Sequence, residues 1–449
     1  MAGMSISGLA SNLDTSTIIS QLMQLEALPQ TLLKTKLTDA KADASAYRTV
    51  NSVVSTLQSA AENLTKAATW APVKATSSST SVSASATAGA ATGQVSFRVD
   101  NLAANHVLIS SADWTPSASA MTLTVADADA DSAPTPIEIP ENATLEQTVT
   151  AINAAKAGVT ATAVSTGTGF RLQLTSTTSG TDGEFTVSGG PAMSLFTQAA
   201  DAKLTVGAGG PYEYAVTSTS NTFTDLMPGT TFTVGKKAES ATDTVTVTVG
   251  SDPAALTSAV QALVTAANNA ISNINTYADN SAGSTAVLRG DSSLRALAGQ
   301  IADAVAYAVG EDGSAAVAGL QLTRDGKITF DATAFGDALK ADPAKAQRLL
   351  NGSGADDTAV PGVAQRLLAV AKSATDATTG TLVNLASGKD SQATDLQTRI
   401  DDWDIRLQMR QATLTSQFTA MESALSKLSS QSTWLTQQLG SLPSWSSSS

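Results

Sequence analysis

Apolar residues recur every three or four positions at the two ends of this chain and every second position through its middle. The first period belongs to a helix with one buried face, the second to a half-buried strand. One chain must therefore hold helices at both ends around a β-rich middle. Near the start, Ile18, Leu22 and Leu25 keep helical spacing up to a break at Pro29. Leu33, Leu37, Ala40, Ala44 and Tyr47 follow in steps of four and three. After a small phase slip, Val50, Val54, Leu57, Ala61 and Leu64 continue the stripe. Toward the other end, Leu396, Ile400, Trp403 and Leu407 keep the same alternation. Arg410 interrupts it, and Leu414, Phe418, Met421, Leu425 and Leu428 resume it. Leu435 and Leu439 carry it almost to a Ser-rich tail. Such alternation is the seam of a coiled coil or bundle helix. Each stripe is apolar on one side only, so each needs a partner. The simplest partners are one another, or copies of the same chain.

The middle reads differently. Val95, Phe97 and Val99 alternate with polar residues, as do Met121, Leu123 and Val125, Phe170, Leu172 and Leu174, and Val245, Val247 and Val249. Gly, Pro, Asn and Asp punctuate these runs, the pattern of antiparallel sandwiches or barrels. One helix is expected within them, around Leu145 to Ala157. From Asp252-Pro253, an N-cap followed by a first-turn proline, the chain turns helical again. Leu256, Val260, Leu263, Ala267, Ile271 and Ile274 form one face. Asp291 and Ser292 open a further helix, an Asp325-Gly326 turn joins a short hairpin, and Asp342-Pro343 starts another helix. The chain leaves a helical base, makes a β excursion and returns.

Composition narrows function. The 449 residues leave room for about three domains. Charged residues are 14% and aromatics 4% of the chain, Ala, Ser and Thr making up the difference. A surface of that kind has little charge repulsion to oppose self-association. The net charge of −13, with no cluster of Lys or Arg, argues against nucleic-acid binding. There is no cysteine, which removes disulfides, thiolate metal sites and cysteine nucleophiles together. One histidine, His106, leaves no multi-histidine metal site and one candidate base. No catalytic residue, cofactor or metal is nominated, and the chain is expected not to be an enzyme. The opening residues lack a basic, then apolar, secretory signal, and no run of about 18 apolar residues predicts a membrane span. The expected place is the cytoplasm, or outside by a route that needs no cleaved signal.

The remaining constellations have plain structural accounts. Gly167-Thr168-Gly169 and Gly207 to Gly210 complete no phosphate-loop pattern and fit turns. Asp312 and Asp325-Gly326-Lys327 lack the regular carboxylates and closing glutamate of a calcium cage. Arg289-Gly290-Asp291 spells an adhesion tripeptide, but Asp291 is better placed as a helix cap. His106 is expected to be structural. Trp114, beside Pro116, is the one aromatic of the β region suited to sugars, while Trp70, Trp403 and Trp434 are expected to pack.

The segment from Gly8 to Glu26 resembles the opening signature of the flagellar filament-cap family (flagellar hook-associated protein 2), with Asn12 where that family usually has glycine before Leu13-Asp14. Gly93 to Ser111, Ala151 to Ala161, Arg171 to Thr175, Ala200 to Val206, and Ser220 to Thr222 with Pro228-Gly229 resemble further family motifs in order. So do Arg289 to Leu297, Gly319 to Asp331, and the C-terminal signature Gln417 to Leu435. Each is modest alone, and the collinear set is specific.

The resemblance implies an α+β multidomain chain. Terminal helices form a coiled-coil leg and helical domain, with two antiparallel β-rich domains inserted between them. The expected boundaries are a mobile leg segment at 1–43 and helical-domain parts at 44–77 and 251–395. One β domain is expected at 78–117 and 200–250, an inserted β domain at 118–199, and a leg helix with tail at 396–449. It further implies a secreted, homo-oligomeric cap, usually a pentamer, at the distal filament tip. The cap would promote flagellin folding and polymerisation and prevent leakage. Flagellin, the hook–filament junction protein, the flagellar export apparatus and an export chaperone at the C-terminus are the implied partners. The expected assembly interface is Leu22, Leu33, Leu37, Ile400, Trp403, Leu407, Leu414, Phe418, Met421, Leu425, Leu428 and Leu435. A secreted adhesin or glycan-binding surface protein, and another axial protein such as the hook–filament junction, are the alternatives, and adhesion is compatible with capping.

Overall fold

The structure is a computed structural model that describes residues 14–127, 133–352 and 360–440. The start of the first motif, with Asn12 and Leu13, and the Ser-rich tail lie outside the described residues. The chain divides into two units, Met1–Thr65 with Ala259–Ser449, and Lys66–Ser258. The fold is α+β and multidomain, with helices toward both ends and antiparallel sheets between them.

The first unit opens with α1 (Thr15–Glu26) and α2 (Leu28–Thr65). The helical break expected at Pro29 falls at Ala27, whose amide donates to the carbonyls of Met23 and Leu25. Pro29 instead sits in the first turn of α2, where its missing N–H leaves no helical bond unmade. Buried Leu37, Ala40, Ala44, Tyr47, Val50, Val54, Leu57, Ala61 and Leu64 make one continuous stripe along α2. The phase slip after Tyr47 is absorbed without a break. Position 43 is interior to this helix, as 396 is to the last one.

In the second unit, β1 (Val73–Ser77), β2 (Val82–Ala86) and β3 (Gly93–Asn101) lead into β4 (Asn105–Ser110), β5 (Met121–Asp127), β6 (Thr135–Ile139) and α3 (Leu145–Ala155). β7 (Val159–Ser165), β8 (Phe170–Ser179), β9 (Phe185–Ser188) and β10 (Met193–Thr197) come next. β11 (Ala202–Val206), β12 (Tyr214–Ser218), β13 (Thr222–Thr224), β14 (Thr230–Val234) and β15 (Val245–Ser251) complete the excursion. A five-stranded sheet, β1-β15-β3-β11-β12, faces a three-stranded one, β13-β14-β2. Phe97, Val99, Leu204 and Val247 from the first meet Val82, Phe223 and Phe232 from the second in one core. Phe97 and Phe232 lie 5.9 Å apart at ring centroids. The strands between β3 and β11 build a separate lobe. There β10-β4-β8-β7 and β6-β5-β9 enclose Leu123, Ile139, Leu172, Leu174 and Phe185, with Ile152 of α3 filling the core. A capping box between Thr144 and Gln147 starts α3.

Helices then return. They are α4 (Pro253–Ala278), α5 (Ser292–Ala306), α6 (Ala332–Ala341), α7 (Pro343–Asn351), α8 (Val363–Thr375) and α9 (Thr381–Gly440), with the hairpin β16 (Leu320–Leu322) and β17 (Ile328–Phe330) before α6. Asp252 accepts from the Ala255 amide at 3.2 Å, Asp331 from Thr333 and Ala334, and Asp342 from Lys345. These aspartates satisfy helix-start amides that have no partner within their helices. Asn268 of α4 clamps the hairpin by giving and taking a hydrogen bond with the backbone of Ile328.

Candidate assembly surface

The first unit carries a long helical hairpin. α9 has 60 residues and runs antiparallel to α2 and α1. The pairing order shows the direction: Asp43 meets Lys389, Gln30 meets Asp404, and Glu26 meets Arg410. Inside it, Leu33, Leu37 and Ala40 pack against Ala393, Leu396 and Ile400. Burying each large aliphatic side chain there contributes about 1.5–3 kcal/mol relative to leaving it in water. The flanking ion pairs, Lys389 to Asp43 at 2.8 Å and Arg410 to Glu26 at 2.8 Å, are partly exposed and set register more than stability. Buried Gln30 adds a polar lock, donating from Nε2 to the Ile400 carbonyl at 3.4 Å and to Asp404 at 2.5 Å.

The twelve residues proposed from sequence separate by environment. Leu37, Ile400 and Leu414 are buried within the hairpin, while Leu33, Trp403, Leu407, Phe418 and Leu425 are partly covered. Leu22, Met421, Leu428 and Leu435 are exposed. The guanidinium of Arg406 lies 5.7 Å from the Trp403 ring centroid, a cation–π contact. Arg410, the interruption in the stripe, is the partner of Glu26. Toward its end α9 exposes Leu428, Trp434, Leu435 and Leu439 at 55–63%. Trp434, expected to pack, is open to solvent in the single chain because the described residues place no core against it.

A second set of exposed apolar residues escaped the sequence reading except for Leu25. Leu25, Leu28 and Leu32 are exposed at 57–69%, and Ile405 and Met409 are exposed on α9. Leu32 and Leu33 adjoin, about 100° apart around the helix, and Leu33 turns to the seam while Leu32 faces solvent. The spacing of Leu28 and Leu32, four apart, was the available signal.

Further down, Tyr47 gives its hydroxyl to Asp291, which also accepts from the amides of Ser293 and Leu294 as the N-cap of α5. Burial and the adjoining carboxylate push the Tyr47 phenol well above its ordinary range. The Asp291 of the adhesion-like tripeptide is thus spent on structure. His106, buried on β4, stacks edge-on to Phe185 with centroids 5.0 Å apart. Asp312 is held below the usual carboxylate range by Arg348, which donates from Nε at 2.7 Å and from a terminal nitrogen at 2.9 Å. No group of three or more His, Cys, Asp or Glu among the described residues is placed to hold a metal. No described helix is long and apolar enough to cross a membrane.

Comparison with known proteins agrees with this architecture. The family model "Flagellar hook-associated protein 2 C-terminus" matches residues 199–430, the corresponding N-terminus model residues 11–106, and the "Flagellin hook IN motif" residues 120–178. The B-type flagellar hook-associated protein 2 of Pseudomonas aeruginosa is 30% identical over 340 residues, covering 67% of this chain and 68% of the relative. The flagellar hook-associated protein 2 of Escherichia coli O157:H7 is 29% identical over 333 residues, covering 66% and 68%. The crystal structure of the D1-D2-D3 domains of the Escherichia coli flagellar cap protein FliD superposes with a TM-score of 0.58 at 27% identity. It covers 77% of this chain and 99% of that one. Helical ends, an interrupted β excursion and collinear motifs converge, and the chain belongs to the flagellar hook-associated protein 2 family of structural flagellar cap proteins.

Proposed function

We propose that this chain caps the growing flagellar filament as a homo-oligomeric ring, with five subunits as the expected number. It shelters arriving flagellin while that protein folds and joins the tip, and it keeps flagellin from leaking away. Residues 1–43 and 396–449 supply the leg, and 44–65 with 259–395 the helical domain. Residues 73–101 with 202–251 form one β domain and 105–197 the inserted one. The subunit reaches the distal tip through the flagellar export route, aided by a chaperone at its C-terminus. It rests on the hook–filament junction protein before flagellin is added.

One observation carries the reading. The leg ends in an apolar stripe, Leu428, Trp434, Leu435 and Leu439, that the single chain leaves exposed. Contiguous apolar surface of this kind marks a protein–protein contact in a soluble protein. Its occupants are neighbouring legs and flagellin. Because these side chains touch little within the subunit, Leu428→Asp with Leu435→Asp leaves the fold intact while placing charge in the assembled contact. The expected outcome is an exported, folded subunit that no longer supports motility, with unpolymerised flagellin in the medium. Normal filaments from a strain exporting this variant would overturn the assignment of that stripe.

A further inference from the structure

Two short crossings join the first β domain to the inserted lobe, residues 102–104 from β3 to β4 and residues 198–201 from β10 to β11. Domains joined in this way ordinarily move against one another unless a sizeable interface holds them. Here the crossings pair with each other. The Ala104 amide donates to the Ala200 carbonyl at 2.9 Å, and the Ala200 amide to the Ala104 carbonyl at 3.3 Å. To one side Asn101 of β3 is matched with Lys203 of β11, and to the other Val107 of β4 with Thr197 of β10. Steps forward on one strand meet equal steps back on its partner, so a single antiparallel ribbon passes through the joint and belongs to both sheets. A bulge lies on either side, between Lys203 and Leu204 and between Leu195 and Thr197, and a bulge bends the strand that carries it.

Side chains from both lobes close on this ribbon. Asn221, in the loop between β12 and β13, acts as a further strand would. Its Oδ1 accepts from the Ala103 amide at 2.8 Å and its Nδ2 donates to the Ala103 carbonyl at 3.2 Å. From the inserted lobe, the Gly180 amide donates to the Ala104 carbonyl at 3.2 Å. Thr181 donates to Asp201 Oδ1 from its amide at 2.7 Å and from its hydroxyl at 3.0 Å. The Ser179 hydroxyl donates to the Thr219 carbonyl at 2.8 Å, one lobe to the other. Gly180 has φ +82°, and a Cβ there would lie 2.6 Å from the Thr219 backbone and 2.7 Å from Asp201 Oδ1, so glycine is what lets these segments meet. Leu102 and Ala103 pack against the core around Phe97, and His106, just past the joint, is buried against Phe185 of the other core.

We propose that this joint is a fixed strut, in which a latch of Asp201, Asn221 and Gly180 on the shared ribbon makes the two β lobes one rigid body. Ala103 is bonded to the first β domain and its neighbour Ala104 to the inserted lobe, so bending at the crossing must break bonds to both at once. Half-buried backbone groups freed in that way would lose their partners without full access to water, which opposes the opening. A force taken by one lobe is thereby passed to the other. The inference concerns the second unit alone and stands whatever covers the leg.

Double electron–electron resonance on the full chain tests it. The chain has no cysteine, so Thr248→Cys on β15 and Thr162→Cys on β7, both exposed, place one spin label in each lobe. Thr162→Cys with Thr186→Cys on β9 gives the reference width for two labels within one lobe. Dilution with unlabelled chain removes distances between copies. The distribution between lobes should be a single peak no wider than the reference. Asp201→Ala combined with Asn221→Ala should lose that single peak. Amide exchange at Ala104 and Ala200, whose own partners are untouched by the substitutions, should then rise at least about tenfold. Near-UV circular dichroism checks that the cores persist in the variant. The parent chain decides by itself as well, since a distribution between lobes broader than the reference overturns the rigid joint. A folded double variant that keeps the parent's peak and exchange rates overturns the latch.

Discussion

Two stretches of α9 have the same apolar spacing and opposite fates. Around Leu396 and Ile400 the stripe is buried against Leu37 and Ala40 of α2, whereas around Leu435 and Leu439 it faces solvent. Periodicity therefore says which face of a helix must be covered and is silent on what covers it. Near Ile400 the cover is the chain itself. Near Leu435 the single chain supplies no cover. Truncation should expose the difference most sharply. Ile400→Ala is expected to cost about 2–5 kcal/mol in urea denaturation, because the packed seam cannot collapse around the lost atoms. Leu435→Ala should stay within about 0.5 kcal/mol in the isolated subunit. Equal costs at both positions would mean that the far end is already partnered in the free protein.

Polar contacts give a smaller effect and sharpen the same contrast. Tyr47 lies on the covered stripe of α2 and gives its hydroxyl to Asp291, so one bond ties α2 to the start of α5. Tyr47→Phe keeps the ring and removes the donor, and should cost about 1–3 kcal/mol for a partly buried bond to a charged acceptor. Denaturation of the helical unit reads this directly. By contrast, Glu26→Gln at the exposed Arg410 pair should cost at most about 1 kcal/mol. A Tyr47→Phe variant as stable as the parent would reduce this contact to surface decoration.

Much of this was legible in the sequence, for identifiable reasons. Asp252, Asp291 and Asp342 announced helix starts because a carboxylate before a helix has a specific job there. The strands around Val95 to Val99 and Val245 to Val249 alternated because one face of their sheet is core. Pro29 misled by two residues, since proline terminates one helix and opens the next with equal chemical comfort. Leu28 and Leu32 went unread beside Leu33, which belongs to the inner seam. Trp434 reads as a packing residue because it lies in a helical segment, and in the single chain it is exposed. The register, with Asp43 on Lys389 and Glu26 on Arg410, joins residues more than 340 positions apart, beyond the reach of local pattern.

The smallest expected effect lies at the outer end of the described leg, where α1 begins. Asp14 accepts from the hydroxyl of Ser16 and from the hydroxyl and amide of Thr17, and these bonds hold its carboxyl down at about 2, below its ordinary value of 3.8. A depressed carboxyl stabilises the fold wherever the unfolded chain would bind the proton first. Its contribution is therefore complete above pH 3.8 and is lost as pH falls from there through about 2. The loss should be local. α1 has few buried side chains, Thr15 among them, while Leu25 is 69% exposed. Acid should thus fray the first turn of α1 before it loosens the Leu37–Ile400 seam. Amide exchange measured from pH 5 to about 2 would show protection at Thr17 and Ile18 falling first. Asp14→Asn retains a capping oxygen that does not titrate, so it should flatten that dependence while leaving protection at neutral pH nearly unchanged. If the variant follows the parent curve, the acid response of the leg arises at another carboxylate and the cap at Asp14 is not its cause.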